Sequence, residues 1–162
     1  MSLETPFNMI ILGTTGCGKT YFLLDLLEKE YQGHIDFIYL LCPTVIWNKT
    51  YQSRRYVNDP DFVVIDCDND QVEQYLKQIT YVAEGTNSLI ILDDVASSQS
   101  VKNRTTELVR LGFSGRHYGF SVIVLTQQLI SKPFREQISK LVSFYNQATR
   151  AWLFCSMIIW VM

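Results

Sequence analysis

Residues 8–20 read NMIILGTTGCGKT, an apolar run followed by a glycine-rich turn that ends in Lys19 and Thr20. The last eight of them match the pattern G-x-x-x-x-G-K-[ST] at every defined position. A loop of this kind brings several backbone N–H groups together without side chains in the way, as a phosphate chain requires. A strand pattern precedes the loop and a helix pattern follows it, so we predict a site for a nucleoside triphosphate.

Different residues of the loop are expected to bind the ATP phosphates and Mg²⁺. Lys19 is expected to reach the β and γ phosphates, and the Thr20 hydroxyl to ligate Mg²⁺. The predicted nucleotide contacts are Gly13, Thr14, Thr15, Gly16, Cys17, Gly18, Lys19 and Thr20.

Outward from the loop, apolar runs alternate with helical patterns along the chain. Predicted strands cover residues 9–12, 37–42, 62–65, 89–92, 120–125 and 141–145. Predicted helices cover residues 21–31, 71–84 and about 101–111, with a short fourth near Pro133. Asn69 or Asp70 is expected to cap the second helix, and Gly85 to end it. Continuous apolar runs favour buried parallel strands, so the fold class is α/β.

Composition bounds the possibilities further. A chain of 162 residues with 48% hydrophobic content predicts a single domain, with its core at about residues 8–145. A net charge of -2 gives no global sign of nucleic-acid binding, so any DNA contact is expected to be local. The four scattered cysteines form no C-x-x-C pair and predict neither a zinc site nor a redox motif. We expect no signal peptide and no transmembrane span.

The last residues, 149–162, form an atypical apolar tail. Residues 151–162 are nearly all apolar, which favours a buried strand or helix. The alternative interpretation is a truncated chain or an altered reading frame.

Two further strands end in polar residues suited to hydrolysis. Asp93 and Asp94 follow the run 89–92, where Asp93 is placed to hold Mg²⁺ and Asp94 to orient or deprotonate the attacking water. Gln127 follows the run 120–125, and its amide could bond both the γ-phosphate and that water. We therefore predict Lys19, Asp94 and Gln127 as catalytic residues.

These elements, with the Gly115-Arg116-His117 sequence ahead of the run 120–125, resemble the viral genome-packaging ATPases of the FtsK/HerA superfamily of P-loop NTPases, of the poxvirus and giant-virus type. The resemblance implies a three-layer sandwich in which the strand ending at Gln127 lies between the phosphate-loop strand and the strand before Asp93. It implies an ATPase that moves double-stranded DNA in a sequence-independent way. It also implies a homo-oligomeric ring, contacts with capsid or portal vertex proteins, no membrane partner, and a location in the host cytoplasm or the virion.

Basic residues are candidates for two roles beyond the phosphate loop. Arg116 matches the family's Gly-Arg-His and is predicted as a catalytic arginine supplied to a neighbouring subunit, with Arg104 and Arg110 as weaker candidates. For DNA, Lys102 and Arg104 after the stretch 96–100 are one candidate pair, and Arg54 and Arg55 are the other. His117 is expected to pack near the strand that ends at Gln127.

Two other functions remain open from sequence alone. A nucleotide or nucleoside kinase would need a lid, for which residues 47–56 are the candidate segment. A nucleotide-binding switch with low turnover is the second, because Asp94 stands where many motor ATPases carry a glutamate.

Overall fold

The structure is a computed structural model that describes residues 5–30, 35–95, 106–127, 130–146 and 155–161. It contains seven strands in one sheet. They are β1 (Asn8–Leu12), β2 (Phe37–Leu41), β3 (Phe62–Ile65), β4 (Ser88–Leu92), β5 (Phe120–Thr126), β6 (Lys140–Asn146) and β7 (Cys155–Val161).

Helices connect these strands. They are α1 (Lys19–Glu30), α2 (Lys49–Gln52), α3 (Val72–Val82), α4 (Glu107–Ser114) and α5 (Lys132–Arg135), with short 3₁₀ helices at Arg55–Asn58 and Gly115–Tyr118. None of the helices in the described parts of the chain is both long enough and apolar enough to cross a bilayer.

The strand order across the sheet is β3-β2-β4-β5-β1-β6-β7. All neighbours pair in parallel except β6 and β7, which are antiparallel. The prediction that the strand ending at Gln127 separates the phosphate-loop strand from the acidic strand is confirmed, because β5 lies between β1 and β4.

Apolar side chains cover both faces of the sheet. On one face, Ile10 and Val122 pack with a layer that includes Leu76 of α3 and Leu108 of α4. On the opposite face, neighbouring residues of the same strands pack against α1 and α2. The central strands β1, β4 and β5 are thus buried on both sides, as their continuous apolar runs predicted, whereas Val64 of the outer strand β3 is exposed.

Several local predictions need correction. The N-cap of α3 is Gln71, without a side-chain hydrogen bond, so neither Asn69 nor Asp70 caps it. The helix α4 begins at Glu107, because Thr106 is extended and its side chain accepts from the Val109 N–H; the predicted helical residues 101–105 lie outside the described residues. His117 is exposed and is not a packing residue.

The apolar tail is partly described. Residues 155–161 form β7 against β6, which agrees with the strand interpretation for that segment. Residues 147–154 and 162 lie outside the described residues.

Candidate nucleotide-binding site

Three strands deliver the candidate residues to one edge of the sheet. Leu12 at the end of β1 pairs with Thr126 at the end of β5, and Leu92 at the end of β4 pairs with Val124. The Gly13 N–H donates to the Thr126 carbonyl at 3.1 Å, which extends the ladder into the loop. The phosphate loop, the acidic pair and Gln127 therefore all follow carboxyl ends of adjacent strands, where parallel α/β sheets form their ligand sites.

The phosphate loop has the backbone that its glycines predicted. Gly16 and Gly18 have φ of 74° and 96°, in the region that disfavours other residues. Gly13 is required for space, because an added Cβ would lie 2.6 Å from Cys17 Sγ and 2.9 Å from Phe144 Cβ. The loop is thus packed at its start and open further along, where nothing lies within 4 Å of a Cβ added at Gly16 or Gly18.

Lys19 is folded over its own loop. Its Nζ donates to the carbonyls of Gly13 at 2.8 Å and Thr14 at 2.9 Å. These bonds hold the ammonium beside the concave side of the loop, so a bound phosphate chain would compete with two carbonyl oxygens for the same cation.

Asp93 joins the loop to the rest of the site. It is only 5% exposed. Its Oδ2 accepts from Thr20 Oγ1 at 3.1 Å and from the Tyr51 hydroxyl at 2.6 Å. The two residues predicted to hold Mg²⁺ are therefore in direct contact.

Burial sets the electrostatics of this carboxylate. Desolvation raises the pKa of Asp93 above its usual range, while the hydrogen bonds from Tyr51 and Thr20 and the charge of Lys19 act in the opposite direction. The pKa of Tyr51 is raised as well, first by desolvation and then by the Asp93 charge, so the phenol stays a proton donor. A buried carboxylate with two fixed donors gains from a nearby cation.

Asp94 differs from its neighbour in exposure and backbone. It is exposed, has φ of 59°, and accepts from Thr44 Oγ1 at 2.9 Å. Its left-handed backbone turns the chain sharply after β4. The two adjacent carboxylates thus have different environments, one buried and one open to water.

These residues surround a cavity of about 320 Å³, within the usual size range of small-molecule sites. Gln127 contributes to the lining and is exposed. The cavity is lined by Thr15, Gly16, Gly18, Lys19, Thr20, Tyr21, Asn48, Thr50, Asp93, Asp94 and Gln127.

The oxygen atoms of the site fit the ligand preference of a magnesium ion. Mg²⁺ prefers oxygen ligands, and in nucleotide sites it takes one or two from protein and the rest from phosphates and water. The Thr20 hydroxyl and the Asp93 carboxylate are such oxygens, in contact with each other and beside the phosphate loop.

One connecting segment supports the site beyond the predicted site residues: Asn48 and Thr50 line the cavity, while Thr44 and Tyr51 bond the acidic pair. Thr44, Asn48, Thr50 and Tyr51 come from the connection between β2 and β3. Because β2 lies next to β4, the chain that leaves β2 must pass Asp93 and Asp94. This adjacency is known only from the strand order, and the sequence of the segment carries no motif that would indicate it.

None of the predicted arginines that the structure describes lines this cavity, although Arg54 contacts Tyr21, which does. Arg116 lies just before β5, at the amino end of that strand, and donates to the Gln137 carbonyl at 3.3 Å. Arg54 is paired with Glu28 and lies 5.3 Å from the centre of the Tyr21 ring, while Arg55 is exposed. Arg110 is paired with Glu107. Lys102, Arg104 and the stretch 96–100 lie outside the described residues.

Comparison with known sequences matches residues 2–160 to the family described as Poxvirus A32 protein. The chain belongs to the poxvirus A32 protein family. This confirms the resemblance to poxvirus packaging proteins that the motifs indicated.

Similar proteins include several named DNA packaging protein OPG160. The Monkeypox virus protein is 29% identical over 155 residues, covering 88% of this chain and 49% of its own length. The protein of Vaccinia virus strain Copenhagen is also 29% identical and is covered over 54% of its length. The chain therefore spans about half the length of these relatives.

Among solved structures, the genome packaging NTPase B204 from Sulfolobus turreted icosahedral virus 2, in complex with AMPPCP, has a similar fold. The TM-score is 0.66 at 15% identity, covering 90% of this chain and 77% of that one. At this identity the similarity shows the fold alone: the A32-family chain has the fold of P-loop NTPases.

Proposed function

We propose that this chain is an Mg²⁺-dependent ATPase whose hydrolysis drives double-stranded DNA into a viral capsid. The observation that carries the proposal is the contact between Thr20 of the phosphate loop and the buried Asp93 at the end of β4, with Lys19 beside them. The names of the relatives, DNA packaging proteins, support the DNA part. Capsid proteins as partners and the host cytoplasm or virion as the place of action are part of the same proposal, since packaging a genome requires a capsid.

The residues have distinct roles in the proposed reaction. Backbone N–H groups of the loop and Lys19 Nζ bind the phosphates, which requires Lys19 to leave the Gly13 and Thr14 carbonyls. Thr20 and Asp93 would hold Mg²⁺, which neutralises charge on the β and γ phosphates when bound.

The exposed residues of the cavity would act on water. Asp94 would accept a proton from the attacking water or orient that water, and the Thr44 hydroxyl would hold one oxygen of the Asp94 carboxylate in place. Gln127 would bond the water and the γ-phosphate together, because an amide both donates and accepts. An arginine from a neighbouring subunit in a ring, Arg116, would complete the site.

The test is the ATPase rate of the chain with and without double-stranded DNA, compared with Lys19→Ala. We expect DNA to stimulate turnover, and Lys19→Ala to abolish it by removing the cation from the phosphate site. Lys77→Ala is a matched control, because Lys77 lies on α3, away from the cavity. Full activity in Lys19→Ala would disprove the site. Turnover that DNA does not stimulate would support the ATPase activity but contradict its coupling to DNA packaging.

A further inference from the structure

Tyr51 is buried and yet directs its only polar atom at the site. It lies in α2, on the connection between β2 and β3, and is 1% exposed. Its hydroxyl donates to Asp93 Oδ2 at 2.6 Å. A side chain that served only to fill the core could be phenylalanine, which has almost the same volume and no hydroxyl that needs a hydrogen-bond partner.

Both described hydrogen bonds to this carboxylate end on the same oxygen. Thr20 Oγ1 and the Tyr51 hydroxyl each donate to Oδ2. Within the described residues Oδ1 accepts no such bond, so it is the oxygen left for another ligand. Two donors on one oxygen also restrict rotation of the carboxylate.

Local bonds fix Tyr51 in turn. The Asn48 side chain caps α2 by accepting from the Thr50 N–H at 3.1 Å, and Gln52 Nε2 donates to the Ile46 carbonyl at 2.8 Å. Thr44, at the start of the same segment, donates to Asp94. One connection therefore supports both members of the acidic pair.

We propose that Tyr51 is the positioning residue for Asp93, and that its hydroxyl orients the carboxylate so that Asp93 binds Mg²⁺ in the nucleotide complex. The inference rests on the proposed function, since it concerns the same ATP and Mg²⁺ site. It assigns the task of orienting the metal-binding carboxylate to a residue that no sequence motif includes.

The test compares Tyr51→Phe with the unaltered chain by titrating Mg²⁺ against binding of a fluorescent, non-hydrolysable ATP analogue. We expect the Mg²⁺ concentration at half-maximal binding to rise about tenfold in Tyr51→Phe, the scale of one hydrogen bond to a charged group. Binding of the analogue in EDTA should not change, because the phosphate loop keeps all its groups. A readout of this kind separates metal positioning from general loss of structure.

Tyr56→Phe is the matched control. Its hydroxyl donates to the Leu24 carbonyl at 2.7 Å, so the substitution also removes one tyrosine hydroxyl bond, at an acceptor outside the cavity. The Mg²⁺ dependence of Tyr56→Phe should equal that of the unaltered chain.

The outcomes are distinct. An unchanged Mg²⁺ midpoint in Tyr51→Phe overturns the inference and leaves the proposed function standing. No analogue binding by the unaltered chain, with or without Mg²⁺, overturns both.

If Tyr51→Phe does not fold, the double variant Tyr51→Phe/Asp93→Asn decides. Recovery of folding would show that the hydroxyl acts on the buried charge, because the amide needs less compensation than the carboxylate. A double variant that stays unfolded would assign Tyr51 a packing role and overturn the inference.

Discussion

Asp94 shows how one residue's backbone limits which side chains can do its work. It has φ of 59° and is the one non-glycine residue with positive φ among those the structure describes. Aspartate and asparagine tolerate this region better than longer residues, because their short side chains bond locally. The aspartate found where many motor ATPases carry glutamate therefore agrees with the turn that follows β4.

The same backbone makes Asp94→Asn an informative substitution. Asparagine keeps the shape and the left-handed turn but removes the negative charge that would accept a proton. We expect nucleotide binding to be retained and turnover to fall by about 10²- to 10⁴-fold, the usual contribution of a general base. Steady-state ATPase rates and direct binding of the ATP analogue would measure the two effects separately.

Asp61→Asn is the control, because Asp61 is exposed and lies just before β3, at the amino end of that strand. If Asp94→Asn turned over normally, water would be activated by another group in the cavity.

At the level of elements, the turn into β5 depends on Gly119. This residue has φ of 84°, and a Cβ there would lie 2.4 Å from the Thr86 carbonyl oxygen. Its own carbonyl accepts from the Ser88 N–H at 3.2 Å, so the turn is joined to the start of β4. Gly119→Ala should therefore lower the free energy of unfolding by about 3 kcal/mol, from backbone strain and the clash together. Urea denaturation would measure it.

Gly85→Ala separates the two causes. Gly85 has φ of 86° but open space around it, with nothing within 4 Å of an added Cβ. Gly85→Ala should lower the free energy of unfolding by only about 1 kcal/mol, the cost of placing alanine in the left-handed backbone region. Equal losses in the two variants would mean that the chain around Thr86 moves to accept the methyl group.

The sequence was sufficient for the elements whose signal is local. The run before Gly13 and the run 62–65 predicted β1 and β3 closely, because continuous apolar residues bounded by turns are a strong pattern. The start of α4 was missed, because an isolated helical pattern does not show that Thr106 will cap it. The role of Tyr51 was missed for another reason: its contact with Asp93 spans 42 positions and exists only once β2 and β4 are neighbours.

At the scale of the whole molecule, Arg116 and the cavity are at opposite edges of the sheet. Arg116 precedes β5, while Gln127 follows it. An arginine in this place cannot reach the phosphates of its own chain, so its proposed catalytic role requires a second copy.

Mixing two inactive variants tests this directly. We expect Arg116→Ala and Lys19→Ala each to lack ATPase activity alone and to recover part of it when mixed, because the intact phosphate loop of one would meet the intact arginine of the other. Arg55→Ala is the control, since Arg55 is exposed and does not line the cavity, so it should hydrolyse ATP as the unaltered chain does. Normal hydrolysis by Arg116→Ala in an assembled oligomer would contradict the role.

The position of β1 between β5 and β6 also has a consequence for how the chain is made. The N–H of Phe7, just before β1, donates a hydrogen bond to the Ser121 hydroxyl, 114 positions away in sequence. The Ser139 hydroxyl donates to the Asn8 carbonyl across 131 positions. A ribosome releases the amino terminus first, at about 5–20 residues per second. The strand that carries the phosphate loop therefore gains both of its neighbours, β5 and β6, only after more than 100 further residues have been synthesised. Until then the nascent chain lacks the strands that surround the proposed nucleotide site, and its exposed β1 is a surface that chaperones would need to cover.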